Sequence, residues 1–435
     1  MSKLSTDVIA VFAQRSWQAA SGLLTIIFIT HFLSPILQGW YYSFLSIAAL
    51  YTLFDLGLSV VLVQISAHLF VGLQWLPNGE PAGEGSLAFK GLMGRATRRY
   101  LLLALFFVIL AIPGGMLFFG QQSGLKSQEI AWLVPWVSLA VVTAVSILFL
   151  PFLSLVEGSG RVQEVYTVRL IQGVSGSLVC WIVLVQGGAL WAASMIPAMG
   201  VVVAMLWLVL KRPALLVAAV KQADAYDTWG RDVWPLQWRV GLSWLSGYLL
   251  TQIYTPVLFH YQGAIVAGQM GLTLTIANML GLLAQSWIAR HVPAMAQAAA
   301  KWEWMVLDQL FQRDLLVSSA AYLLGAVLLS GVHQLLSHTV YGGRILPFWP
   351  FAGLLAVVFI NHVVGALAAQ LRSYKREPLV WIASIGAVAT APIAFWAATV
   401  YSAQGVVIAI LSVQIIATFP ASLWMWKRCN KMWRE

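Results

Sequence analysis

The sequence predicts an all-α polytopic membrane protein with about twelve transmembrane helices in two six-helix lobes. Three observations carry that expectation. Of 435 residues, 60% are hydrophobic and only 9% are charged, with a mean hydropathy of +0.83, whereas soluble domains carry about 25% charged residues. Runs of about 20 apolar residues, the length that crosses a hydrocarbon core of about 30 Å, recur from end to end. Those runs do not alternate polar and apolar over segments of about 10 residues, as a membrane barrel would.

Taken in order, the spans are expected near 8–32, 40–66, 99–120, 130–153, 165–186, 188–210, 240–260, 264–288, 314–336, 346–370, 378–400 and 404–427. Tight turns follow the first, fifth, seventh and eleventh: LSPILQG, QGG, HYQGA and YSAQG. Longer, basic connections follow the second, sixth and eighth. The chain divides as an N-terminal lobe 1–210, a cytoplasmic linker 211–239 and a C-terminal lobe 240–435. A weak repeat supports the division. Placing Gly39 on Gly268 sets FLSIA over TLTIA, each copy just after the first span of its half.

Charge sorting sets the orientation. All of the 25 Lys and Arg except Lys126 and Arg344 fall on one side. Cytoplasmic loops carry that excess, so both termini are expected in the cytoplasm. The formal charge of +10 then belongs to anionic headgroups and not to nucleic acid. Trp75, Trp132, Trp302, Trp304, Trp349, Trp424 and Trp426 cluster at span ends, where indoles anchor at the headgroup level. The N-terminus runs into the first span without a signal-peptide cleavage pattern. Cys180 and Cys429 have neither metal-site spacing nor an evident disulfide geometry.

Ions inside spans are costly, about 2.5–3.5 kcal/mol each on insertion scales, and so mark candidate sites. Arg15 and Asp55 lie equally far from the Pro35 turn. If spans one and two form a hairpin, the two reach one depth. Arg15, Gln18, Gly22 and Thr25 share a helical face, as do Ala48, Thr52, Asp55 and Ser59. The pair could be a salt bridge bracing the hairpin, or two groups lining a wet cavity. On the eighth span Thr275, Asn278, Leu282, Gln285 and Arg290 fall on one side, and on the seventh Ser243, Gly247, Thr251 and Tyr254. Such residues also brace helices. No nucleotide-binding loop and no catalytic set is present, and no cofactor is implied.

The segments QGWYYSFLSIAALYTLFDLGLSVVLVQISAH, VEGSGRVQEVYTVRLIQG, LDQLFQRD and LRSYKREP, in this order and at these span ends, resemble the polysaccharide transporter, or O-antigen flippase, family. That family belongs to the superfamily of multidrug and toxin extrusion proteins and lipid II flippases. The resemblance implies a non-enzymatic protein of the bacterial inner membrane. It would move an undecaprenyl-diphosphate-linked oligosaccharide from the cytoplasmic to the periplasmic leaflet. It implies a cationic cavity, to which Arg15, Arg290 and Arg169 are carried over, with Gln18, Asn278 and Gln285 as polar lining. Asp55 stands at an acidic position and is the expected ion-coupling residue, for H+ or Na+. A polymerase and a chain-length regulator of the same pathway are the expected partners. Two other readings compete. A drug or cation antiporter of the same fold would want buried carboxylates, scarce here beyond Asp55 and Glu157. A membrane polymerase or ligase would want large outer loops, and here Lys126, Glu129 and Arg344 alone charge them.

Overall fold

The structure, a computed structural model, describes residues 3–77, 79–123, 130–221, 229–339, 341–374 and 376–434. Lys126, Glu129 and Lys375 lie outside the described residues. Helices account for nearly all of it, as the composition requires. In chain order they are α1 (Lys3–Phe32), α2 (Pro35–Ala48), α3 (Tyr51–Asp55), α4 (Leu58–Leu69), α5 (Ser86–Ser123), α6 (Leu133–Ile147), α7 (Leu150–Gly158), α8 (Val162–Val185), α9 (Ala192–Lys211), α10 (Pro213–Lys221), α11 (Trp229–Asp232), α12 (Trp234–Thr251), α13 (Tyr254–Gln262), α14 (Ala264–Ala289), α15 (Val292–Ala300), α16 (Trp304–Ser337), α17 (Phe348–Arg372), α18 (Leu379–Val413) and α19 (Phe419–Arg434). Among the described residues, nine helical stretches are long and apolar enough to cross a membrane. The last, Leu379–Arg434, reverses at Ser402 (φ 58°, ψ −152°), and α1 and α12–α13 add the remaining span-length elements. Every expected span thus has its helix, and the protein is a multi-pass membrane protein.

Several helices run past the expected ends. The span expected to start at 99 starts at Ser86, because Phe89, Leu92, Met93 and Ala96 form an apolar stripe that is fully buried. The span expected at 314 starts at Trp304 for the same reason, with Leu307 and Phe311 buried. The loop between α4 and α5 closes as a two-stranded ribbon, Gln74–Trp75 (β1) against Pro81–Ala82 (β2). The linker expected at 211–239 begins as helix α10, with Leu215 and Ala218 buried.

Contacts divide the chain into two units. The first comprises Met1–Leu37 and Phe44–Leu245. Its core gathers Phe119 and Trp136 edge to face on Phe44, with centroids 4.8 and 5.3 Å from it, the geometry that aromatic quadrupoles favour. Here α1 packs along α8 rather than along the second span. Trp181 donates to Thr25 Oγ1 at 2.9 Å and stacks on Phe28 at 5.3 Å. The expected pairing of spans one and two is therefore corrected. A short turn fixes sequence adjacency but not which side chains interdigitate, and the Trp17–Thr25–Phe28 face finds its aromatic partner on α8.

The second unit comprises Gln38–Ser43 and Ser246–Glu435. The six residues from α2 sit against α14, where Gln38 Nε2 donates to Gly268 O and Arg344 O, both at 3.0 Å. A Cβ on Gly39 would lie 1.8 Å from Ala264 O, and one on Gly268 would lie 2.8 Å from Gly39 N. Only glycine lets these backbones approach so closely. The two glycines that the repeat superposes in sequence thus touch each other. One core cluster of this unit surrounds Tyr322 and Phe351. A second joins α14–α19 around Phe311 and Leu371. Trp426, expected as a headgroup anchor, instead donates to Gln370 Oε1 and packs on Phe311. Trp302, Trp349 and Trp424 are exposed, as anchors should be.

Candidate functional site

Asp55 answers for its own burial. Leu56 (φ 45°) and Gly57 (φ 68°) are both left-handed, which breaks the second span between α3 and α4. Glycine adopts this backbone freely. A Cβ at Gly57 would also fall 2.1 Å from Val240 Cγ1 of α12. The break leaves the first N–H groups of α4 without helical partners. Asp55 supplies one: its carboxylate accepts from Ser59 N at 3.3 Å and Ser59 Oγ at 2.8 Å. Tyr100 of α5, wholly buried, donates to the same carboxylate at 2.5 Å. A negative group at a helix N-terminus is stabilised by the helix dipole. In this place the ion is a cap.

The other expected site residues fall in different settings. Arg15 is exposed on α1, and among the described residues it makes no ion pair. No contact joins it to Asp55, so of the two alternatives the bracing salt bridge is absent: α1 turns to α8, and Tyr100 and Ser59 hold Asp55. Gln18 is exposed one turn further along. Arg169 of α8 binds Glu157 at 2.8 Å and lies 5.0 Å from the Tyr166 ring centroid. The 157–169 pairing ties α7 to α8.

In the second unit Asn278 is half-buried on α14. Gln285 donates to His362 O at 3.0 Å, which braces α14 to α17. Arg290 stands 3.9 Å from buried Asp314, whose other oxygen takes His291 Nδ1 at 2.6 Å. Sequence reasoning missed Tyr100, Asp314 and the Ser318–His362 contact of 3.0 Å. Tyr100 directly follows Arg98 and Arg99, and a tyrosine at a charged span end reads as an interfacial anchor.

One pattern runs through these partners. Asp55 is held by Tyr100 and Ser59, Glu157 by Arg169, Glu164 by Arg212 at 2.6 Å, Asp308 by Arg434 at 2.6 Å, and Asp314 by His291. The carboxylates of the described spans are committed internally. Arg15 is not. Chemically this leaves a guanidinium, which stays charged and offers planar paired donors, available to an anionic group.

No protein-family model matches the sequence, and no curated protein matches it. Solved structures do. An inward-facing multidrug resistance MATE family transporter of the MOP superfamily aligns over 99% of both chains at 14% identity, with a TM-score of 0.68. The lipid II flippase MurJ, in an inward closed conformation, aligns over 97% of this chain and 87% of its own at 13% identity and a TM-score of 0.60. A MOP superfamily transporter from Pyrococcus furiosus aligns over 99% and 96% at 12% identity and 0.58. At such identities the likeness is one of fold, and the chain has the fold shared by MATE-type transporters and a lipid II flippase.

Proposed function

We propose that the protein is a flippase for an undecaprenyl-diphosphate-linked oligosaccharide, an O-antigen, capsule or exopolysaccharide repeat unit. It would carry that cargo from the cytoplasmic to the periplasmic leaflet of a bacterial inner membrane by alternating access, with both termini cytoplasmic. The observation that carries this reading is the charge imbalance within the spans: carboxylates committed to internal partners, Arg15 uncommitted. A lipid diphosphate cannot cross hydrocarbon unaided, and a guanidinium is the side chain suited to hold its oxygens when partly desolvated. Discontinuous spans such as α3–α4 accompany binding sites in transporters. A division into lobes 1–210 and 240–435 and a cationic cavity belong to this reading. Gln18, Asn278 and Gln285 would line it, and Arg169 and Arg290 would add charge once released from Glu157 and Asp314. Asp55 would couple transport to H+ or Na+ by exchanging its Tyr100 bond.

A drug antiporter is the second reading, favoured by the MATE family neighbours. It lacks an uncommitted carboxylate to hold a cation. For the Pyrococcus furiosus transporter, reverse polarity of the binding pocket suggests a different function. The test is reconstitution in proteoliposomes. Flipping of the lipid-linked oligosaccharide at rates above empty vesicles supports the flippase. Drug efflux without any such flipping retires it.

A further inference from the structure

The two faces of the last helix, α19, have different duties. Its inner face is fixed to the second unit. Trp426 Nε1 donates to Gln370 Oε1, Tyr374 Oη donates to Asn430 Oδ1 at 2.9 Å, and Ser422 and Cys429 are buried. Its outer face holds Trp424, Lys427, Arg428 and Lys431, all exposed, at the spacings of three and four that line one side of a helix. Among the described residues no carboxylate shares that face. Depth places it at the headgroups. The chain reverses at Ser402, and Trp424 follows about 22 residues later, about 33 Å at 1.5 Å per residue. A hydrocarbon core is about 30 Å thick, so the cations begin where the helix leaves it.

Two guanidiniums here are held by aromatic rings. Arg428 lies over the Trp424 ring, 5.2 Å from its centroid, and Arg376, from the turn between α17 and α18, lies over Trp433 at 5.0 Å. Both act electrostatically on the buried Cys429 Sγ, so they flank one spot. Neighbouring arginines are neutralised, Arg372 by Glu377 at 3.1 Å and Arg434 by Asp308 at 2.6 Å. Among the described residues, Arg376, Lys427, Arg428 and Lys431 have no carboxylate partner. A ring beneath a guanidinium engages its flat face and leaves the in-plane N–H groups free. Those edge donors match phosphate oxygens in pairs, and the lysines beside them add point charges. Exposed Trp424 and Met432 offer apolar surface at the same level. The complement of this face is a phosphate joined to hydrocarbon.

We propose that Arg376, Lys427, Arg428 and Lys431 seat the headgroup of an anionic phospholipid, in the leaflet on the side of the C-terminus, with its acyl chains against Trp424. The full-length protein in neutral detergent is titrated with phosphatidylglycerol or phosphatidylcholine, and bound lipid is counted by native mass spectrometry. Phosphatidylglycerol should bind at least about tenfold tighter. Arg376→Gln with Arg428→Gln should weaken it about tenfold, the loss of one charge-assisted bond. Lys301→Gln with Arg313→Gln removes the same charge at exposed positions off this face and should change it less than about twofold. Trp424→Leu keeps every charge but withdraws the ring that orients Arg428, and should weaken binding about threefold. All five substituted side chains are exposed, so folding is not at stake. Equal losses in the two double variants, or undiminished binding in Trp424→Leu, reduce the seat to diffuse charge and overturn the proposal. So does displacement of the lipid by millimolar inorganic phosphate, which would make this a free-anion site. No preference over phosphatidylcholine also overturns it and leaves the face to a protein partner. Because the readout is lipid binding and not transport, the seat stands or falls independently of the cargo.

Discussion

Replacing Tyr100 by Phe removes one hydroxyl and leaves the buried ring in place. The cavity term should be small, since the change keeps shape and nearly keeps volume. What is lost is the shortest of the bonds that Asp55 accepts, Tyr100 Oη at 2.5 Å, with Ser59 Oγ at 2.8 Å and Ser59 N at 3.3 Å remaining. A hydrogen bond to a charged group is worth about 1.5–3 kcal/mol. Intramembrane bonds measured by double-mutant cycles average about 0.6 and reach about 1.7 kcal/mol. A carboxylate only 4% exposed, with its shortest donor removed, belongs at the upper end, so Tyr100→Phe should cost about 1.5 kcal/mol. Asp55→Asn should cost a similar amount, losing the charge that complements the N-terminus of α4, itself worth about 0.3–1 kcal/mol. The assay is reversible unfolding in mixed micelles for both single variants and the double. A coupling energy of about 1 kcal/mol or more is expected, and one under about 0.3 kcal/mol, the additivity limit, would refute the account of the break.

Gly39→Ala should abolish the folded protein, because its new methyl would meet Ala264 O at 1.8 Å, while Gly114→Ala, with nothing within 4 Å, should hold or raise the melting point by the helix-propensity gain of about 0.5–1 kcal/mol. Monodisperse yield by fluorescence-detected chromatography reads both. Arg434→Ala removes a paired contact with Asp308, two bonds of 2.6 Å. Both side chains are part exposed, at 22% and 37%, so the stability cost should be only about 0.5–1 kcal/mol. Limited proteolysis should nonetheless cleave α19 sooner, and unchanged cleavage would mean that the aromatic contacts alone hold that helix.

Span positions were legible because hydropathy over about 20 residues is a one-dimensional signal that bilayer thickness imposes. The breaks inside them were not. Hydropathy averaged over a span stays high across Leu56 and Leu148, and a left-handed residue such as Leu56 leaves no mark in it. Helix neighbours were hidden too, since nothing in the α1 sequence names α8 as its partner. Of the candidate residues, Asp55 and Ser59 could be read as one helical face at a spacing of four. Tyr100, 45 residues away, could not be joined to them by any local rule. The Gly39–Gly268 match is the instructive case. A short repeat found the positions, and the structure supplied the reason they are glycine.

The most direct measurement is the flipping rate of an undecaprenyl-diphosphate-linked oligosaccharide by Arg15 variants reconstituted at equal density. If the uncommitted guanidinium holds the diphosphate, Arg15→Ala forfeits a charge-assisted contact of about 1.5–3 kcal/mol. The rate should fall about 10–100-fold, with Arg15→Lys intermediate and the melting temperature unchanged. Wild-type rates for Arg15→Ala in folded protein would contradict the assignment of this cation to the cargo.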